Sequence, residues 1–355
     1  MSAAGEHTLH EITTQDEAWR AAHEATRSQR DLLQKVLRDN RGLPFVFIGC
    51  GSTYCLARYA ATLFQTVTGI PCRAVPSSEL YFHTDSIAAQ GDLPLVIALS
   101  RSGETTETVQ AVSKMASSGS DTLAITCYPE SRLARASSVT IAIPSAQEES
   151  FAQTRSFAAM LVAAQTFAAI AANDRQMLDD LGRLPSLASG IMGRSEAVAE
   201  ALGSREAYRR TTFLGSGAMY GLACEGRIKL TEMSLTMADA HTFLEYRHGP
   251  MSLVDEEHLV VGLVSEDMRD YEIDVLREVK QYGGRVLAVA NSDHGLGEID
   301  EVLALDAPIG PWARATLFLP AIQFLGYHRG LAKGLDPDRP RNVVMAVRLK
   351  ALEGE

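Results

Sequence analysis

The chain has 355 residues, 46% of them apolar, and a formal net charge of −11. That is length for two medium domains or one large one, with enough apolar content to bury a full core. The negative charge argues against sequence-independent nucleic-acid binding, so a bound anion would have to be held by local backbone donors.

There is no run of about 18 apolar residues of the kind that spans a membrane. The N-terminus, MSAAGEHTLHEITTQDEAW, is polar and acidic and lacks the basic and apolar blocks of a signal peptide. Cys50, Cys55, Cys72, Cys127 and Cys224 show neither metal-type nor disulfide-framework spacing. A reduced, cytoplasmic setting is expected, without membrane or metal.

In chain order, residues 10–40 read as largely helical, with Trp19, Ala22, Leu32, Leu33, Val36 and Leu37 set among charges. Pro44–Gly49 (PFVFIG) is a short apolar run closed by glycine, which suits a buried parallel strand. A helix is expected from Tyr54 to Val67, then the short run CRAVP. The strand Pro94–Ser100, a helix from Thr105 to about Ser117 and the strand Asp121–Thr126 follow. Strands alternating with helices at this spacing indicate a parallel, doubly wound sheet.

The pattern then recurs. Gly49, Gly51 and Tyr54 match Gly215, Gly217 and Tyr220, each 166 residues on. PLVIALS matches HLVVGLVS (His258–Ser265), and LAIT from Leu123 matches LAVA from Leu287. Three matches in register indicate a duplicated α/β domain. The expected division is an N-terminal helical extension (1–40), a first domain (41–160), a helical linker (161–200), a second domain (201–335) and a tail (336–355).

Four segments carry candidate chemistry. The first, SRSGETTET from Ser100 to Thr108, follows a strand and opens a helix. Ser100, Ser102, Thr105 and Thr106 supply hydroxyls, Gly103 permits a tight turn, and Arg101 adds a charged donor. Together they suit either an anion cradle or an ordinary hydroxyl cap. In the second, GCGST, Tyr54 stands where a dinucleotide fingerprint needs its third glycine, which disfavours a nucleotide site. Ser52 and Thr53 fit a second wall of the anion site, or a capped turn.

The third segment, MYGLACEGRIKLTEMS, spaces Glu225, Lys229 and Glu232 at i, i+4 and i+7, one stripe of a helix. Such a stripe is either a solvated charged face or, if buried, a proton-transfer group. The fourth, EYRHGPMSLVD, holds His248 in a loop fixed by Gly-Pro, as a surface histidine or a proton carrier. His241 stands seven residues before it, with no third metal ligand.

The motifs GCGSTY, SRSGETTET, EGRIKLTE, RHGP and GLDPDRPRN, in this order from about Glu11 to Leu349, resemble the sugar-isomerase (SIS) family. Within it they resemble the double-SIS group that contains the isomerase half of glucosamine-6-phosphate synthase. The resemblance implies two tandem SIS domains, each a parallel β-sheet flanked by helices in a flavodoxin-like, doubly wound α/β fold.

The resemblance also assigns roles. Thr53, Ser100, Arg101, Ser102 and Thr105 occupy phosphate-binding positions, Arg101 standing where the synthase type has glutamine and so adding a positive charge at the anion. Glu232 occupies the position of the C1–C2 proton base, and Lys229 that of a lysine near the sugar hydroxyls. Glu148 falls on a glutamate near the substrate. His248 falls on the ring-opening histidine that reaches the neighbouring subunit's site, which implies a homodimer with a shared active site.

Two departures are visible. Residue 2 is serine, where the synthase type has the nucleophilic cysteine of a preceding glutaminase domain. Glutamine is therefore not expected as the nitrogen source. Met345 replaces a substrate-contacting lysine, which suggests a different substrate or direction.

The expected activity is aldose–ketose isomerisation, with or without amino-sugar deamination, of a 6-phosphorylated hexose or hexosamine, without cofactor. A fructosamine-phosphate deglycase, an isomerase of a 6-sulfonate sugar and a non-catalytic sugar-phosphate sensor are the alternatives. No helix-turn-helix module, the usual companion of SIS regulators, is legible before Phe45.

Overall fold

A computed structural model of the chain describes residues 3–88, 93–205 and 207–349. It divides into two compact units. The first-sheet unit comprises Thr14–Glu148, Gln153–Pro185 and the segment from Val344. The second-sheet unit comprises the segment up to Thr13, Glu149–Ala152 and Ser186–Val343.

The first unit holds strands β1 (Phe45–Gly49), β2 (Cys72–Pro76), β3 (Leu95–Leu99), β4 (Thr122–Thr126) and β5 (Val139–Ala142). All neighbours pair in parallel, in the order β2-β1-β3-β4-β5. β1, β3 and β4 are buried along their whole length. That explains why they read as continuous apolar runs without alternation: helices cover both faces.

The largest cover is the helix Arg155–Ala172, which packs against the helices Gln15–Ser28 and Ser52–Thr68. Phe64 and Phe167 meet edge-on with ring centroids 4.8 Å apart at that contact. Among the described residues this is the one helix long and apolar enough to cross a membrane, and 83% of its apolar window is buried within the fold.

The second unit repeats the plan with β6 (Arg210–Gly215), β7 (Met237–His241), β8 (His258–Leu263), β9 (Arg285–Ala290) and β10 (Glu301–Ala304). Its order, β7-β6-β8-β9-β10, is that of the first sheet strand for strand. Both are the flavodoxin-like order, and both reverse direction between the first and third strands of the copy. Two tandem doubly wound domains are therefore present.

The repeated glycines have a steric cause. A Cβ on Gly49 would lie 2.4 Å from the Thr53 backbone, and one on Gly215 would lie 2.6 Å from the Met219 carbonyl oxygen. Each strand thus ends pressed against the first turn of its helix, at the place where ligands enter such sheets.

The second unit also ties down its own ends. The Asp338 carboxylate, buried at 3% exposure, accepts the Thr8 N–H and hydroxyl, both at 2.7 Å. Arg339 lies 4.4 Å over the Phe151 ring. The motif GLDPDRPRN in this way anchors the helix Glu6–Thr13.

His258 opens β8 at 2% exposure, with Nε2 2.8 Å from the Thr212 hydroxyl. Burial lowers its pKa below the usual 6.5. Its contribution to stability is then full above pH 6.5 and is lost as pH falls toward the depressed folded value. A His258→Gln variant should show a flatter dependence of Tm on pH between about 7 and 5 than the wild type. Parallel curves in thermal unfolding would refute this assignment.

Candidate active site

In the first unit, the residues expected to form the cradle gather at the C-terminal ends of β1 and β3, which are neighbours in the sheet. Ser100 is buried, and its hydroxyl accepts the Gly103 N–H at 3.1 Å. The Ser102 hydroxyl accepts the Glu104 N–H at 3.2 Å. Thr105 holds the cap position of the helix Thr106–Ser117 without a side-chain capping bond.

Ser52 and Thr53 start the helix Ser52–Thr68 and are both buried. The Thr53 hydroxyl accepts the Cys50 N–H and donates to the Cys50 carbonyl, both at 3.0 Å. Its proton is therefore committed to the turn, and reaching an anion requires that bond to be exchanged.

Arg101 and Glu148 come together as partners. Arg101 Nη1 lies 3.2 Å from Glu148 Oε2, with side chains 3% and 0% exposed. The Glu148 carboxylate also accepts the Thr154 N–H (2.7 Å) and hydroxyl (3.1 Å), the Ser156 N–H (3.0 Å) and the Ser156 hydroxyl. Arg101 Nη2 donates to the Met345 carbonyl at 3.4 Å. The guanidinium is thus neutralised inside the fold, and attraction for an anion rests on the hydroxyl and backbone dipoles around it.

The C-terminal segment lies over the same helix start. The Thr106 N–H donates to the Val347 carbonyl at 3.2 Å, and the Leu349 N–H donates to the Thr106 hydroxyl at 3.1 Å.

In the second unit, the stripe on the helix Met219–Ser234 is buried rather than solvated. Lys229 is 1% exposed, and its ammonium lies 3.4 Å from Glu225 Oε1. It also pairs with Glu232 Oε1, whose side chain keeps 16% exposure against 2% for Glu225. The helix Leu319–Ala332 covers this face closely, since a Cβ on Gly330 would fall 2.6 Å from the Met233 carbonyl oxygen. A buried ammonium between two carboxylates, one of which opens to solvent, is an arrangement that fixes the position of the open carboxylate.

His248 is exposed, on the turn after the helix Phe243–Tyr246. Among the described residues no hydrogen bond or ion pair joins its ring to Glu232 or Lys229. Its neighbour Arg247 makes a bidentate pair with Glu278, both contacts at 2.8 Å, which fixes the loop. His241 lies apart from it, 3.3 Å from Asp239. No group of three or more metal-type ligands occurs among the described residues.

Known proteins share this architecture. The SIS domain family matches residues 44–170 and 207–306. The chain belongs to the SIS family. The isomerizing glutamine–fructose-6-phosphate aminotransferase of Methanothermobacter thermautotrophicus is 28% identical over 307 residues, covering 86% of this chain and 51% of that protein. The chain spans about half the length of the curated relatives it matches.

Two solved structures match end to end. The tagatose-6-phosphate ketose/aldose isomerase of Escherichia coli superposes with a TM-score of 0.85 at 25% identity, covering 97% of this chain and 98% of its own. The glucosamine-6-phosphate deaminase of Thermotoga maritima gives 0.77 at 29% identity, covering 97% and 100%.

The partners Thr154, Ser156 and the Met345 carbonyl escaped sequence reading. They are ordinary loop and helix-start groups whose role appears only when the fold delivers them to Arg101 and Glu148.

The Lys229 site makes a stability prediction. Lys229→Met should cost about 3–5 kcal/mol, because it strands buried carboxylate charge. Adding Glu225→Gln should restore a large part of that loss. Urea denaturation of the single and double variants checks it, and a Lys229→Met chain as stable as wild type would refute the buried-pair reading.

Proposed function

We propose that the chain is a phosphosugar isomerase or deaminase that moves a proton between C1 and C2 of an open-chain 6-phosphorylated hexose or hexosamine. The observation that carries this reading is the buried Lys229 ammonium held between Glu225 and the partly open Glu232. Family membership and the names of the full-length structural neighbours support the substrate class.

The roles follow from chemistry. Ser52, Thr53, Ser100, Ser102 and Thr105 bind the 6-phosphate with the surrounding amides, and the Arg101–Glu148 pair fixes the shape of that turn. Binding at this remote group orients the reacting carbons. His248 opens the ring by carrying a proton between the ring oxygen and the C1 hydroxyl. Its exposure suits action in a neighbouring subunit, so a homodimer is part of the proposal.

Glu232 then takes the proton from one carbon and returns it to the other through a cis-enediol, or an enolamine for an amino sugar. Lys229 stabilises the oxyanion that develops next to it. With a 2-amino sugar, water adds to the resulting ketimine and ammonia leaves, giving the ketose phosphate. With a plain sugar the ketose forms directly.

Proton NMR in D₂O with glucosamine 6-phosphate, glucose 6-phosphate and fructose 6-phosphate tests the reading. Wild type should exchange the C1 or C2 proton of at least one of them, and Glu232→Gln should slow this about 10²–10⁴-fold. Ammonia release separates deaminase from isomerase. Mixing inactive Glu232→Gln with inactive His248→Ala should restore about a quarter of the wild-type rate by statistical pairing of a two-fold dimer. Binding of these sugars without any exchange would replace the enzyme with a sensor.

A further inference from the structure

The duplicated sheet leaves a second strand-end crevice, between β6 and β8, equivalent by topology to the one between β1 and β3. The hydrogen bonds fix the correspondence. The Val264 N–H donates to the Val289 carbonyl as the Ser100 N–H donates to that of Ile125. Val264 therefore takes the place of Ser100, and the turn starts one residue later. There the Ser265 hydroxyl accepts the Met268 N–H at 3.3 Å, as the Ser100 hydroxyl accepts that of Gly103.

Into this second turn the chain inserts a carboxylate of its own. Glu272, on the helix Arg269–Gln281, is 0% exposed. Its Oε2 accepts the Ser265 N–H at 2.6 Å and the Ser265 hydroxyl at 3.0 Å. The hydroxyl of Ser216, the residue after β6, also favours its charged form. Among the described residues Oε1 has no hydrogen-bond partner, and the positive charge of Arg269, at the start of the same helix, acts on the carboxylate from a distance, without a direct ion pair. Burial raises its pKa accordingly.

A buried carboxylate held by a strand-end amide and hydroxyls is bound as a free oxyanion would be bound there. A group needed only to tie the turn would not have to be charged, and burying a carboxylate with one oxygen left unbonded costs free energy.

We propose that Glu272 is an internal anion: its carboxylate occupies the strand-end oxyanion site of the second copy and keeps free oxyanions out. Removing it opens that site to a small oxyanion. Formate is smaller than the group removed in Glu272→Ala, and phosphate is about as large.

The test uses the full chain as wild type, Glu272→Ala and Glu272→Gln, in a buffer free of carboxylate and phosphate. Calorimetric titration with inorganic phosphate and Tm measured with and without sodium formate, against sodium chloride at equal ionic strength, supply the readouts. Glu272→Ala should bind one more phosphate per chain than wild type, whatever number wild type binds. Formate should raise its Tm by about 3 °C or more beyond any wild-type gain. Glu272→Gln, whose amide still fills the space, should show neither effect.

A Glu272→Ala chain that folds only when formate or phosphate is supplied supports the proposal equally. Equal phosphate stoichiometry in all three proteins with no formate effect overturns it. So does a Glu272→Ala chain that stays unfolded in either anion while Glu272→Gln folds, since packing and not charge would then be the need. Because the readout is a difference from wild type, failure of the first-copy cradle to bind phosphate leaves this result intact.

Discussion

A lysine ammonium inside a protein must be paired, and the pairing of Lys229 constrains the second unit around it. Glu225 and Glu232 flank it from the same helix, so the charge is met within one element. Tertiary packing then removes the water. The glycine at position 330 lets the helix Leu319–Ala332 approach the Met219–Ser234 backbone closely enough to seal that face. The two carboxylates end in different surroundings, Glu225 enclosed and Glu232 partly open. That difference divides their roles: one neutralises the lysine from within, the other faces outward with a charged partner held behind it.

The first unit meets its own buried charge in another way. Arg101 is closed off by Glu148, whose oxygens are taken up by Thr154 and Ser156. The turn after β3 is thereby rigid and electrically neutral at its arginine. Its remaining polarity consists of hydroxyls and amides at a strand end. The two copies differ at this place: in the second, the Glu272 carboxylate is held by the strand-end turn.

Much of the fold was legible because parallel strands buried on both faces read as apolar runs, as FVFIG and LVIAL do. The glycine–tyrosine matches exposed the duplication, and the steric demand at Gly49 and Gly215 explains why they persist. The Glu225–Lys229–Glu232 stripe was legible as spacing only. Periodicity places Glu225, Lys229 and Glu232 on one face, but whether that face is solvated depends on a helix about a hundred residues away in sequence.

Pairings across long separations were not legible. Arg101 and Glu148 each read as a substrate contact, and nothing in their separate motifs marks them as partners. The strand match did not fix the turns residue by residue: PLVIALS is seven residues long and HLVVGLVS eight, and the ladder aligns Ser100 with Val264.

The proposed proton transfer requires Lys229 and Glu232 to work as one unit. A double-mutant cycle on C–H exchange in D₂O, with Lys229→Met, Glu232→Gln and the pair, tests it most directly. The account predicts strong non-additivity, with the double variant little slower than Glu232→Gln alone. Losses that multiply, as for independent residues, would contradict it.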